Sequence, residues 1–204
     1  MSLSKFSFFP TSVYVCEKIP SLSLEDQCNI RSYCIKVYDA SDYNHAISNP
    51  SGWQSIKNVQ ESTELTFLTT SILREVVNIV PGDHLHRFTP FVDAMWVNVN
   101  PEKSFNFNHV HAGCWMSGTY YVTVPQNSGH IVFTDPRPGA DVCEWHHMIN
   151  SQSNYKIMPK EGSIIFFPGW LPHYVEVNNN PSHRISISFN IKLRENDTKR
   201  SSNN

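Results

Sequence analysis

Apolar residues recur at three- and four-residue spacing over residues 63–80, where Leu65, Leu68, Ile72, Val76 and Ile79 stand among polar positions until Pro81-Gly82 ends the pattern. A helix shows that period on one face, so the segment predicts an amphipathic helix packed on the outside of a sheet. A less regular stripe, Leu24, Cys28, Ile35 and Tyr38, comes after Ser23 and two acidic residues. Serine is a good N-cap, and a second helix is expected over 23–38. Between the two, 48-SNPSGWQS-55 has the composition of a loop, and its tryptophan marks it as ordered loop rather than linker. After about residue 88 the period shortens to two. Short runs rich in β-branched and aromatic residues occupy 92–99, 105–111, 117–124, 129–135, 155–158, 163–167, 173–177 and 184–193, separated by turn residues. Strands in that succession suggest a double-sheet jelly roll or barrel. The last of them is informative in itself. Ile185, Ile187, Phe189 and Ile191 alternate with Arg184, Ser186, Ser188 and Asn190, so one face is apolar and the other polar.

Length refines this picture. With 204 residues, one domain over 1–195 is expected, with 1–88 as a helical support, 89–195 as the jelly-roll core and 196–204 as a frayed polar tail. The net charge of −2 supplies no basic surface for phosphates or anionic lipid, which argues against non-specific nucleic-acid binding and membrane association. Five cysteines, odd in number and without a Cys-x-x-Cys pair, argue against a disulfide scaffold and for a reducing compartment. No signal-like or bilayer-length apolar run is present. A soluble, cytoplasmic protein is expected.

Candidate chemistry centres on histidines. If 105-FNFNHVH-111 is a strand, His109 and His111 at i and i+2 project from the same face and form half of a metal site. The spacing alone is weak, because His84 and His86 repeat it after Pro81-Gly82-Asp83, where a surface loop is expected. A Cys143, His146, His147 cluster is a further candidate for zinc, yet it lacks a fourth ligand. The segments downstream of His109 and His111 set that pair apart. An apolar strand runs into 167-FPGWLPH-173, which delivers His173, and Arg184-Ile185-Ser186 comes eleven residues later. A facial triad takes two ligands from one strand and a third from a distant strand brought alongside, leaving one side of the metal open. A guanidinium facing into the mouth of a jelly roll requires an anionic partner, such as a carboxylate ligand gripped in two-pronged fashion beside Ser186.

These motifs resemble the 2-oxoglutarate/Fe(II)-dependent dioxygenase superfamily, and within it a group related to prolyl hydroxylases that carries His-x-His and then Ser-Gly-x-Tyr-Tyr. The landmarks are 96-WVNVN-100, 109-HVHAGCWMSGTYYV-122, 128-SGHIVFTDPR-137, 159-PKEGSIIFFPGWLPH-173 and 184-RISISFN-190, with 52-GWQS-55 similar as well. The resemblance implies a mainly β, cupin-like double-stranded β-helix with N-terminal helices packed outside. It implies Fe(II), 2-oxoglutarate as co-substrate and O2, with His109 and His173 as iron ligands. It implies Arg184 and Ser186 as the anchor for the distal carboxylate of 2-oxoglutarate, joined by Tyr121, with Tyr120 facing away. The commonest superfamily pattern has a carboxylate where this chain has His111. His111 is expected to complete the iron shell, with Asp135 as the alternative. The substrate is expected to be a small molecule or a peptide side chain, and Trp115, Trp145 and Trp170 are expected near the mouth. Two other readings compete: a cupin-like three-histidine enzyme that does not use 2-oxoglutarate, and a jelly-roll binding module without catalysis.

Overall fold

The computed structural model describes residues 10–80, 82, 84–137, 139 and 154–196. Among the described residues, ten strands and two α-helices succeed one another: β1 (Tyr14–Cys16), α1 (Leu24–Asp39), β2 (Trp53–Gln54), α2 (Thr66–Ile79), β3 (Phe88–Asn100), β4 (Asn106–His109), β5 (Met116–Thr123), β6 (Ile131–Thr134), β7 (Asn154–Ile157), β8 (Ile164–Pro168), β9 (His173–Val175) and β10 (Arg184–Glu195). The strands form two antiparallel sheets. The major sheet has six, in the order β1-β8-β5-β10-β3-β2, and the minor sheet has four, in the order β4-β9-β6-β7. This is the double-stranded β-helix, mainly β with helices outside, that the alternating strands lead one to expect.

Three layers result from where each strand puts its apolar side chains. On the outer face of the major sheet, Met95, Val97 and Val99 of β3, Tyr120 and Val122 of β5, and Ile185, Ile187, Phe189 and Ile191 of β10 are buried together with Leu65, Leu68, Ile72 and Val76 of the α2 region. On its inner face, Tyr121, Ile165 and Phe167 meet Ile131 and Phe133 of the minor sheet and Leu171. Period-two alternation thus feeds two cores from one sheet, and burial of these side chains stabilises the fold by on the order of 1.5–3 kcal/mol each. Gly118 of β5 illustrates how close the strands lie. A Cβ there would stand 2.4 Å from the ring of Phe189 and 2.7 Å from the Ile165 carbonyl, so the Ser-Gly step of the Tyr-Tyr strand is a packing requirement.

Several sequence expectations need correction. α1 forms where expected, with a capping box in which Ser23 Oγ accepts from the Asp26 amide and the Asp26 carboxylate accepts from the Ser23 amide. Its buried face is nevertheless Ile30 and Cys34, while Leu24, Cys28 and Ile35 are exposed. Tyr33, Val37 and Tyr38 pack beside Ile30 and Cys34 on the same core, so of the expected stripe only Tyr38 faces inward. The 48–55 loop contains β2, whose Trp53 and Gln54 pair with Val99 and Asn98 and form the edge of the major sheet. Strand 105–111 ends at His109, two residues early. Asn196, expected to begin a frayed tail, is tied down: its side chain bonds the Thr89 hydroxyl and the carbonyls of Leu85 and His86. Residues 197–204 lie outside the described residues, as do Pro81, Asp83, Trp145 and the Cys143, His146, His147 cluster.

Candidate active site

The register of the two sheets assembles two clusters facing one cavity. In the minor sheet, His109 of β4 lies directly opposite His173 of β9. In the major sheet, Ser186 of β10 lies opposite Tyr121 of β5. Arg184, two residues before Ser186, shares the inward face of β10 by the strand's alternation. All of these line a single cavity together with His111, Trp96, Gln54, Asn98 and Ser188.

The histidine cluster is built from carbonyl contacts. His109 Nδ1 lies 2.7 Å from the Phe107 carbonyl and His173 Nδ1 2.9 Å from the Leu171 carbonyl. A carbonyl can only accept, so both Nδ1 atoms carry the proton and each Nε2 is left with its lone pair. His111 reaches the same point by another route. Its amide donates to the Gly169 carbonyl at 2.8 Å, which holds the turn after β4 against the turn after β8. Any Cβ at position 169 would stand 2.5 Å from Cys114 Sγ and 2.8 Å from the His111 carbonyl, so Gly169 is what allows the two turns to touch. The two turns bring His111 Nε2 to 3.3 Å from His173 Nε2. One ligand atom from each of the three histidines lies within 4.8 Å of the others, and among the described residues no other group of three or more His, Cys, Asp or Glu could hold a metal ion.

Electrostatics favour ligand chemistry. Burial lowers the pKa of His173 to about 3 and, with His109 and Lys57 adding to the effect, that of His111 to about 4; burial lowers His109 as well. Three neutral imidazoles around one point suit a divalent transition metal. The alternative ligand is engaged elsewhere. Asp135 accepts from Arg137 through both of its oxygens, at 2.9 and 2.5 Å, and is not part of the histidine group. His84 and His86 are exposed in the turn between α2 and β3, also apart from it.

The opposite wall carries the cation. Arg184 is 2% exposed, and its Nη1 donates to the Ser128 carbonyl at 2.5 Å. No carboxylate among the described residues pairs with it. Burial pulls its pKa down to about 10, opposed by the nearby Tyr121. Burial raises the Tyr121 phenol, so it stays protonated and able to donate. A guanidinium so desolvated, with one backbone acceptor, is a site for an anion.

Strand alternation also brings in residues that motif reasoning missed. Gln54 Nε2 donates to Asn98 Oδ1 at 2.7 Å, and Asn98 Nδ2 donates to Ser188 Oγ at 2.9 Å, forming a polar strip across β2, β3 and β10. The signal was present in 96-WVNVN-100, where Asn98 alternates with buried valines. The tryptophan that lines the cavity is Trp96. Trp115 packs against the outer core instead, and Trp170 is more than half exposed outside both cavity linings.

A family described as "Putative 2OG-Fe(II) oxygenase" matches residues 94–190, a span that contains all three histidines, Tyr121, Arg184 and Ser186. Over that span, just under half of the chain, the protein is similar to the 2-oxoglutarate/Fe(II)-dependent oxygenases. Solved structures agree in fold. The chain superposes on a Pseudomonas putida prolyl-4-hydroxylase with TM-score 0.66 at 11% identity, covering 90% of this chain and 94% of that one. It matches the non-haem α-ketoglutarate-dependent epimerase SnoN from nogalamycin biosynthesis with TM-score 0.66 at 13% identity, covering 89% and 77%. It matches HygX from Streptomyces hygroscopicus, solved with nickel and 2-oxoglutarate, with TM-score 0.62 at 9% identity, covering 89% and 83%. At these identities the likeness is one of fold. No curated protein sequence matches the chain.

Proposed function

We propose that His109, His111 and His173 hold Fe(II) and that Arg184, with Ser186 and Tyr121, receives the distal carboxylate of 2-oxoglutarate. The observation that carries this reading is the pairing of a neutral three-histidine cluster with a buried, carboxylate-free guanidinium across one cavity. When bound, iron with O2 supplies the oxidising chemistry that couples decarboxylation of 2-oxoglutarate to succinate with oxidation of a substrate. The chain's own groups orient and exclude. The Phe107 and Leu171 carbonyls fix the tautomers of two imidazoles so that Nε2 faces the metal. Arg184 offers a planar fork of donors, Tyr121 stays a phenol able to donate, and Ser186 adds a hydroxyl beside it. Ile131 lines the cavity, and Phe133 and Phe167 pack against the His173 ring, an apolar backing that keeps water from that side of the imidazole.

The three-histidine enzyme without 2-oxoglutarate and the non-catalytic module leave Arg184 as a buried cation with no anion, which is why the 2-oxoglutarate reading is preferred. One oxygenase domain over 1–195, with 1–88 as its support, fits the packing of α1 and α2 against the major sheet. A cytoplasmic location fits the four free thiols among the described residues and the absence there of a helix long and apolar enough to cross a membrane. The test is succinate formation from 2-oxoglutarate with ferrous iron, in the wild type and in His173→Ala. Succinate from the wild type and none from the variant is the expected result. No succinate, together with no 2-oxoglutarate binding by titration, would remove the reading.

A further inference from the structure

Outside the inner cavity lies a groove that shares Ser48, Gln54, Trp96, His109 and His111 with it, so anything seated there meets the histidine cluster. Its rim is apolar. Ile47, Phe107 and Val110 are 74%, 52% and 47% exposed, three large side chains turned to solvent around one opening. Its charge is one-sided. Among the described residues that line the groove there is no aspartate or glutamate, and the one permanently charged side chain is Lys57.

Lys57 differs from most lysines of the molecule. Lys36, Lys103, Lys156, Lys160 and Lys192 each have a carboxylate within salt-bridge distance, and Lys57 has none among the described residues. Its backbone is anchored, since its carbonyl accepts from the Met95 amide at 2.9 Å and the next residue bridges to β3. Its ammonium stands 5.9 Å from the centroid of the Trp96 ring, the wall common to groove and cavity. An exposed, unpaired cation on an anchored backbone, beside apolar side chains and with no competing anion, complements an apolar molecule that ends in a negative charge.

We propose that this groove is the primary-substrate site and that Lys57 selects a substrate with an apolar body bearing one carboxylate. The inference rests on the inner cavity being the iron and 2-oxoglutarate site, because that reading makes the groove the approach to the reacting centre. Three probes of one shape isolate the charge: phenylbutyrate, phenylbutyramide and phenylbutylamine, an anion, a neutral amide and a cation. They are titrated by calorimetry into protein loaded with Mn(II) and saturating 2-oxoglutarate under nitrogen, which keeps the probe carboxylate out of the Arg184 cavity and prevents turnover.

The expected order is anion tightest and cation weakest, with the anion favoured over the amide by about 1.5- to 5-fold, the range for an exposed ion pair. Lys57→Met should level the anion with the amide, and Lys57→Glu should reverse the order. Equal binding of the three probes, absence of binding by all of them, or an order that survives Lys57→Glu would each overturn the proposal. A separate titration of 2-oxoglutarate alone keeps the two readings apart. If it fails to bind, the cavity assignment falls, and the probe series on unloaded protein still reports whether the preference depends on Lys57.

Discussion

The two sheets of the roll contribute to opposite ends of one cavity, and they do so in different ways. The major sheet supplies Arg184, Ser186 and Tyr121 from the inward faces of β10 and β5, long strands whose other faces carry the main core. Its end of the site is fully buried, with each of the three no more than 6% exposed. The minor sheet supplies His109 and His173 from strand ends only four and three residues long, and His111 from the turn beyond. The difference is that between a side chain set by pleat and register and one set by the meeting of two turns. An anchor built on a continuous strand is held by the whole core. A histidine cluster at strand ends leaves one side open, as a metal site that admits substrate would require.

The largest effect expected on this contrast comes from the histidine end. His111→Ala should lower Fe(II) affinity beyond the ~10- to 100-fold that loss of an outer-shell partner costs, since it removes a ligand. His111→Asp should still bind iron, and Asp135→Asn should keep wild-type iron content because that carboxylate already serves Arg137. Elemental analysis of folded variants decides between them. Iron lost from Asp135→Asn but kept in His111→Ala would move the third ligand to the carboxylate.

At the arginine end, Arg184→Leu should weaken 2-oxoglutarate binding by about 2–5 kcal/mol, the cost of removing one member of a desolvated charge pair. Iron binding should survive, because the two clusters stand on different sheets. Parallel titrations of metal and 2-oxoglutarate would show it, and simultaneous loss of both in a folded variant would mean that the two ends are not separable.

Acidity should single out the histidine end. The folded-state pKa values of His111 and His173, about 4 and about 3, lie below the ordinary value of 6.5, so below pH 6.5 the unfolded chain binds more protons. Their contribution to stability is therefore intact above pH 6.5 and is lost as pH falls toward 4. With half-buried His111 discounted, the slope is on the order of 2 kcal/mol per pH unit for the pair. Urea midpoints of chelator-treated protein should fall as pH drops below 6.5, and added divalent metal should raise them. A flat profile would place these imidazoles in contact with water.

The smallest effect belongs to the decoy. Replacing His84 and His86 together with glutamine should leave iron content unchanged, because both are exposed in a turn apart from the histidine group.

The same contrast explains which parts of the molecule were legible in the sequence. The Arg184 face of β10 could be read from alternation alone, because a strand's period of two maps sequence directly onto faces. So could the division of Tyr120 and Tyr121 between two cores, once their strand was recognised. The phase of α1 could not, since a weak stripe leaves the buried face to be chosen by the sheet it meets. Nor could the cavity roles of Trp96, Gln54 and Asn98, which depend on β2 and β3 lying beside β10.

The chain by itself determined its strand periods and the order His109, His111, His173, Arg184. These are properties of local geometry and of side-chain chemistry, and no neighbour needs to be known to state them. Only the tertiary structure decided that His109 pairs across strands with His173, that Gly169 draws His111 in from outside its strand, and that Lys57 stands at the mouth with no carboxylate among the described residues beside it. Each depends on contacts between segments far apart in sequence, and register, turn packing and the placing of charges around a groove are set only when the sheets close on one another.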